Sequence, residues 1–293
     1  MSTQITTAFV QQFSSNVQLL SQQMGSLLRG SVSEESVTGE KAFFDQVGQS
    51  AAVKRTSRHS DTPILDTPHS RRMVTMDSYE WADLIDDADK VRLLIDPTSA
   101  YARTAAAAMG RAMDDSIIAA ATGTAKTGKS GSTSTALPSA QQIANGSADL
   151  TIEKLIEAKQ KLDVNSVDPS ISRYICVSPF QIQRLLNETA VTSSDFNTVK
   201  ALVRGEVDTF MGFKFIVSNR LAKAGNIRTC FAWAEDGMKL AVGKDVMARI
   251  EERADKSFST QVYYCATFGA TRMEEEKIIQ IDCDESESYT FGS

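Results

Sequence analysis

The sequence of 293 residues contains little of what metal centres and disulfide frameworks require. It has two histidines, both in a polar segment, and four cysteines that form no C-x-x-C pair. Three of them, Cys176, Cys230 and Cys265, lie in apolar, strand-like runs, where a free thiol behaves as a small hydrophobe. This pattern favours reduced core cysteines over a disulfide framework or a zinc site. We therefore expect no metal and no cofactor.

Long hydrophobic runs and an excess of positive charge are also lacking. No stretch approaches the roughly 20 apolar residues of a membrane-spanning helix. The N-terminus lacks the basic and apolar regions of a signal peptide, so we expect a cytosolic protein. The net charge of −6 gives no general attraction for nucleic acid, which argues against a DNA-binding enzyme or regulator.

The first 80 residues are polar and irregular. Phe9, Phe13 and Val17 recur at helical spacing and predict a short amphipathic helix, and SVSEESVTGE predicts a loop. Two extended pieces, around 51–58 and 71–77, then predict a long two-stranded excursion. It has too few apolar residues for a core of its own, so it either packs on a neighbour or is a solvated loop.

Basic residues concentrate in this excursion, and an acidic run, WADLIDDADK, follows it. This separation of charge suits contact between copies of the same chain. The candidate intersubunit contacts are Lys54, Arg55, Arg58, Arg71 and Arg72.

A long helix is the clearest predicted element. Asp96 and Pro97 supply an N-cap and a first-turn proline, and Gly123 supplies the stop. The many alanines between them predict a thin, rigid strut that lets other backbone approach closely. A Gly/Ser/Thr-rich loop without core residues is expected next, and from Leu150 onward helices and strands mix irregularly. This mixture predicts an α+β fold.

One motif suggests an enzyme. Residues 123–130, GTAKTGKS, match the phosphate-binding pattern G-x-x-x-x-G-K-[ST], with Lys129 as its lysine. That chemistry requires a strand before the loop and a helix after it. Here the long helix precedes the motif and a predicted loop follows, so a basic surface loop is the preferred interpretation. We identify no catalytic residues elsewhere, and the acidic runs MEEEK and DCDESES are interpreted as solvated faces.

Three segments, in this order, resemble the major capsid proteins of tailed bacteriophages. The first is RMVTMDSYEWADLIDDADKVRLLIDPTSAY (72–101), which runs into the alanine-rich helix. The second is FMGFKFIVSNRL (210–221), and the third joins RADK (253–256) to FGA (268–270) near the end of the chain. The resemblance covers residues 1–285 and implies the Hong Kong ninety-seven-like capsid fold.

The resemblance also implies an organisation into segments. Residues 1–40 are expected to form an N-terminal arm and residues 41–80 an extended E-loop that lies on the adjacent subunit. Residues 81–149 are expected to form a peripheral domain with a spine helix at 97–122. An axial domain at 150–245 and a return to the peripheral domain at 246–293 complete the expected organisation.

The implied function is self-assembly, without catalysis, into an icosahedral virion shell built in the host bacterial cytoplasm. Hexamers and pentamers of the chain would enclose double-stranded DNA without sequence-specific binding. A portal protein, and a scaffold or decoration protein, are the implied partners. Two alternatives stay open: an encapsulin-type nanocompartment shell, and a nucleotide-binding enzyme that uses Lys129.

Overall fold

A computed structural model of the chain describes residues 22–58, 61–62, 64–85, 98–187 and 209–286. The predicted amphipathic helix with Phe9, Phe13 and Val17, and the cap residues Asp96 and Pro97, lie outside these ranges. The described helices are α1 (Thr98–Thr122), α2 (Ile152–Val164) and α3 (Pro179–Asn187). The strands are β1 (Ser33–Ser36), β2 (Lys41–Val47), β3 (His69–Thr75), β4 (Asp77–Ile85), β5 (Ala125–Thr127), β6 (Thr133–Thr135), β7 (Gln142–Ile143), β8 (Arg173–Val177), β9 (Thr209–Phe210), β10 (Phe213–Val217), β11 (Lys223–Ala224), β12 (Ile227–Ala234), β13 (Met238–Arg253), β14 (Ser259–Arg272) and β15 (Ile278–Asp284).

The strands form three sheets, which confirms the predicted α+β class. One four-stranded sheet has the order β1-β13-β14-β4, and another has the order β2-β3-β5-β6. A seven-stranded sheet has the order β7-β15-β12-β8-β10-β9, with β11 paired to β12. No helix within the described ranges is long and apolar enough to span a membrane.

The chain divides into two compact units. Of the described residues, one unit contains 22–26, 78–85, 98–113 and 244–268, and the other contains the remainder. Strand β15 pairs with β12 and β7 in the seven-stranded sheet. Its side chains at Ile279, Ile281 and Cys283 are fully buried and alternate with partly exposed polar ones, so one face of the strand lies in the core.

Helix α1 ends where the sequence predicts. It is 25 residues long, about 37 Å at the usual rise per residue, and the amide of Gly123 donates to the carbonyl of Ala119 as the helix stops. At Gly110 a Cβ atom would lie 2.3 Å from the backbone of Gly25. The prediction that small residues let backbone approach this helix closely is therefore confirmed.

The segment after residue 26 is fastened to the end of the same helix in the second unit. The buried carboxylate of Asp114 accepts hydrogen bonds from the amides of Leu27 (3.0 Å) and Leu28 (3.1 Å). The chain then forms β1, which pairs in parallel with residues 239–242 of β13. The prediction of a loop here is wrong, because the strand is short and polar and draws its stability from its partner.

The loop expected after α1 is also more ordered than predicted. Strands β5 and β6 form a hairpin, and Leu137 and Ile143 are buried. Their apolar side chains are isolated in a polar segment, so no periodic pattern marks them.

Helix α2 is bonded to β15 through a buried lysine. The ammonium group of Lys154 donates to the carbonyls of Asn145, Ala148 and Asp282.

One end of the seven-stranded sheet is held by the buried carboxylate of Glu285. Arg228 on β12 and Lys223 on β11 form ion pairs with it, and the amide of Gln181 on α3 donates to it at 2.9 Å. Burial raises the pKa of this carboxyl group, but the hydrogen bonds from Arg228, Lys223 and Gln181 outweigh burial and lower the pKa to about 2.

We expect Glu285→Gln to weaken folding in a pH-dependent way. The folded-state pKa of about 2 lies below the unfolded value of 4.5, so ionised Glu285 stabilises the fold above about pH 4.5. That contribution is lost as the pH falls towards 2. The variant should lose on the order of 2 kcal/mol of unfolding free energy at pH 7, and the difference from wild type should vanish near pH 2.

Urea unfolding of the isolated subunit, followed by circular dichroism at several pH values, measures this difference. The matched control is Glu157→Gln, which removes an exposed carboxylate from α2. It should change the unfolding free energy by less than about 0.5 kcal/mol at every pH. An equal effect of the two substitutions would contradict the role assigned to Glu285.

Candidate functional site

The predicted two-stranded excursion is present, but its strands lie closer to the core than expected. Strands β2 and β3 pair in antiparallel register from Lys41–Thr75 to Val47–His69. The first extended piece was expected at 51–58, which carries no regular secondary structure. The stem closes where the amide of Gly48 donates to the carbonyl of Pro68 at 2.8 Å. We call residues 48–68 the hairpin tip.

The stem packs into the core of its own unit, which the sequence reading missed. Ala42, Phe44 and Val74 are buried in a cluster that is completed by Met76, Ala241 and Met273. These residues alternate with exposed ones along β2 and β3, so one face of the hairpin is apolar. The hairpin base is therefore part of the fold, and only the tip extends from it.

A buried ionic network anchors this stem. Arg72 is 7% exposed, and its guanidinium donates to the carbonyl of Met273 at 2.7 Å and to the carboxylate of Glu275. The amide of Gln46 donates to the same Met273 carbonyl at 2.6 Å. The guanidinium of Arg72 is thus engaged within its own chain.

The same carboxylate connects the stem to the end of α1. Arg272 is fully buried, and its Nε lies 3.5 Å from the Glu275 carboxylate. Its Nη atoms donate to the carbonyls of Ala121 (3.1 Å), Gly123 (2.8 Å) and Thr135 (3.0 Å). A cation is favoured there because carbonyls at a helix C-terminus carry partial negative charge. The interpretation of MEEEK as a solvated face is therefore wrong for Glu275.

The side chain of Arg71 lies on the opposite face of β3 from that of Arg72. Its guanidinium donates to Asp45 and lies 5.5 Å from the centre of the Phe43 ring. The hydrogen bond from Arg71 is the main reason that the pKa of Asp45 is lowered. Since this pair is exposed to solvent, it orders the surface of the stem and leaves the Arg71 side chain accessible.

The other three candidate residues lie together on the first arm of the hairpin tip. Lys54, Arg55 and Arg58 are exposed, and Arg55 donates to the nearby carbonyl of Ser57 at 2.9 Å. Apolar side chains are exposed beside them, with Ile64 97% accessible and Val53 56% accessible. A tip with this much exposed apolar surface is typical of an interaction segment.

The residues that match the phosphate-binding pattern lie between the end of α1 and strand β6. Residues 125–127 of the motif form β5, and Gly128 and Gly131 take positive φ angles in the turn that leads to β6. Lys129 is exposed in this turn. The motif therefore follows a helix and precedes a strand, the reverse of the order that a phosphate-binding loop requires.

The cysteines are core residues, as the sequence predicts. All four are buried free thiols. Burial raises the pKa of Cys176, and a hydrogen bond to Cys283 together with burial raises the pKa of Cys230. Both thiols therefore stay protonated. Within the described part of the chain, no group of three or more His, Cys, Asp and Glu side chains could hold a metal ion.

The described residues thus combine three sheets, a 25-residue helix and a hairpin with a packed base and an exposed tip, a composition typical of a structural protein. The family model described as phage capsid protein matches residues 5–285, and the chain belongs to this family. Its members are structural proteins, so the chain is a major capsid protein and virion component and not an enzyme. A comparison with curated proteins finds no match.

Solved capsid structures share the fold. The capsid of cyanophage P-SCSP1u is 19% identical with a TM-score of 0.74, covering 98% of this chain and 96% of that one. The capsid of Ralstonia phage GP4 is 11% identical with a TM-score of 0.74, covering 96% and 97%. The capsid of cyanophage Pam1 is 12% identical with a TM-score of 0.71, covering 97% and 98%. The family does not favour the nanocompartment or the nucleotide-binding enzyme.

The adjacent arginines of β3 give a direct test of the anchoring network. We expect Arg72→Met to lower the free energy of unfolding by about 3 kcal/mol, because it removes the guanidinium that donates a hydrogen bond to the buried carboxylate of Glu275. The control Arg71→Met removes a solvent-exposed ion pair and should cost a small fraction of that loss. Urea unfolding of the isolated subunit measures both changes. Equal losses would refute the assignment of Arg72 as the anchor.

Proposed function

We propose that copies of this chain join as hexamers and pentamers in an icosahedral shell around double-stranded DNA. The observation that carries this proposal is the hairpin, whose stem is fixed in the core while its tip is exposed. A segment with an anchored base and unburied apolar side chains is suited to bind a neighbouring copy. Each contact is modest in area, and its repetition over the shell stabilises the assembly collectively.

The hairpin tip is the proposed E-loop contact. Lys54, Arg55 and Arg58 supply positive charge, and Val53 and Ile64 supply exposed apolar surface. Arg71 belongs to the stem, where its accessible side chain contributes at the edge of the same contact. The remaining segments are proposed as an N-terminal arm, a peripheral domain around the spine helix α1, and an axial domain around the seven-stranded sheet.

The net charge of −6 supports a shell that encloses DNA without binding it tightly. An acidic inner wall repels phosphate groups, so packed DNA is free to move along it. We propose a portal protein as a partner, and a separate scaffold or decoration protein as a further one. Assembly is proposed to occur in the cytoplasm of the host bacterium.

Expression of the chain alone, followed by sedimentation and negative-stain electron microscopy, tests the proposed assembly. Closed shells of uniform diameter are the expected result. If only small oligomers form, the same preparation is repeated with the genes that flank the capsid gene, since a scaffold is then required. Failure to form shells in both preparations would refute the proposal.

Deletion of the hairpin tip should separate folding from assembly. Replacing residues 49–67 by a short Gly-Ser linker keeps β2, β3 and Arg72, and spares the contact between Gly48 and Pro68. We expect wild-type circular dichroism and thermal stability, but at least tenfold fewer shells by sedimentation. Replacement of only Ser130 and Ser132, in the exposed turn between β5 and β6, by alanine is the control and should leave shell yield unchanged. Normal shells from the tip deletion would contradict the E-loop assignment.

A further inference from the structure

A tight turn at residues 145–148 begins with the only asparagine of the sequence that is followed by glycine. The amide of Ala148 donates to the carbonyl of Asn145 at 2.9 Å, and Gly146 and Ser147 take positive φ angles of 56° and 54°. Positive φ at both central residues defines a type I′ turn. Gly146 is exposed and Asn145 is half-buried, so solvent reaches the peptide bond between them.

The two groups of this peptide that could react with each other have no other partner. Within the described residues, neither the carboxamide of Asn145 nor the amide N–H of Gly146 forms a hydrogen bond. A Cβ atom added to Gly146 would have no atom within 4 Å, so the space around this peptide is open. A bonded amide must lose its partner before its nitrogen can act as a nucleophile, and this one has no partner to lose.

The carbonyl oxygen of the same peptide is bound by two donors. The buried Lys154 donates to the Asn145 oxygen from its ammonium group at 2.8 Å, and the amide of Ala148 is the second donor. Loss of the proton from the Gly146 nitrogen would spread negative charge onto this oxygen. Donors that are already in place stabilise such a developing charge, and most strongly when one of them is a cation.

Lys154 is held in this position by its other contacts. Its ammonium group also donates to the carbonyls of Ala148 (2.7 Å) and Asp282 (2.9 Å). Among the described residues it forms no ion pair, although it is only 8% exposed. A buried cation without an anionic partner is costly, so the site favours a reaction that creates negative charge beside it.

Other side chains that could form the same five-membered ring are restrained. Asp236 precedes Gly237, but its carboxylate forms an ion pair with Lys277, and a Cβ atom on Gly237 would lie 2.7 Å from the Lys277 Cβ atom. The side-chain amide of Asn165 donates to a backbone carbonyl at 3.3 Å, and a serine follows it. The open glycine and the bound carbonyl oxygen therefore distinguish Asn145.

We propose that Asn145 is a site of spontaneous deamidation that Lys154 promotes in the folded subunit. The Gly146 nitrogen, after losing its proton to hydroxide, forms a bond to Cγ of Asn145, and the carboxamide nitrogen leaves as ammonia. Water then opens the resulting succinimide, so the net change is the gain of one water and the loss of one ammonia. The inference goes beyond the proposed assembly and does not depend on it.

The product changes the charge at this turn. Opening of the ring at Cγ gives aspartate, which adds a side-chain carboxylate. Opening at the backbone carbonyl gives isoaspartate, whose new carboxylate includes the oxygen that Lys154 binds. Either product adds one negative charge to the residue in contact with the buried ammonium group.

Comparison of the folded and the unfolded wild-type subunit tests the proposal. Both are incubated in the same mildly alkaline buffer, one without and one with guanidinium chloride, and tryptic peptides are analysed by tandem mass spectrometry. Residues 130–154 form one tryptic peptide with Asn145 as its single asparagine, and deamidation makes it about 1 Da heavier. We expect the change at Asn145 to form about threefold faster or more in the folded subunit, because only the fold brings Lys154 to the carbonyl.

The tryptic peptide that contains Asn165 is the internal control and should keep its mass in the folded subunit. No mass change at Asn145, or a change that is as fast or faster in guanidinium chloride, would overturn the proposal. Neither result concerns shell formation, so this inference and the proposed function fail separately.

Substitution of Lys154 separates its charge from its structural role. Lys154→Gln keeps a hydrogen-bond donor without the charge and should lower the folded-state rate to that of the unfolded chain, whereas Lys154→Arg should retain most of it. Circular dichroism checks that each variant is folded, and the comparison within the wild type stands if one is not. Lys161→Gln removes another lysine of α2 that binds a backbone carbonyl, and it should leave the rate unchanged. A wild-type rate in Lys154→Gln would refute the role of Lys154.

Discussion

The fold depends on one buried ionic arrangement, in which two arginines share the carboxylate of Glu275. Arg72 brings the hairpin stem to this carboxylate, and Arg272 brings the carbonyls at the end of α1. Two cations and one anion leave an excess positive charge in a buried place, which is costly unless other groups compensate it. The carbonyls of Ala121, Gly123, Thr135 and Met273 provide that compensation. The arrangement therefore specifies how the hairpin stem, the helix end and the turn before β15 meet.

This anchoring explains how a subunit can hold a projecting segment in a defined direction. The hairpin tip has no core of its own, so its orientation is determined by the stem. The stem in turn is packed on one face through Ala42, Phe44 and Val74, and is bonded at its edge through Gln46 and Arg72. A binding segment that leaves a rigid base loses less conformational entropy on association than a free loop of the same length.

Much of the fold could be predicted from the sequence, and the exceptions have a physical cause. The stop of α1 follows from Gly123, and strands β8, β10, β12, β14 and β15 lie in short apolar runs that the sequence shows directly. Strand β1 could not be predicted, since its four polar residues become a strand only by pairing with β13. The role of Glu275 could not be predicted either, because an acidic run predicts a solvent-exposed surface. Only the folded structure shows that Arg72 and Arg272 lie beside it. Of the five candidate contact residues, sequence alone could not separate buried Arg72 from exposed Arg71.

The closure between Gly48 and Pro68 has a consequence for how such a chain can change over generations. Among the described residues of the hairpin, the buried side chains all lie on the stem side of that closure, and residues 49–58 beyond it are exposed. Substitutions in the tip therefore leave the core of the subunit unchanged, whereas substitutions in the stem are constrained by it. If the tip is the proposed contact between copies, folding and recognition are encoded in adjacent but separable stretches of sequence. Tips of related chains would then be free to diverge while the stem beneath them stays the same.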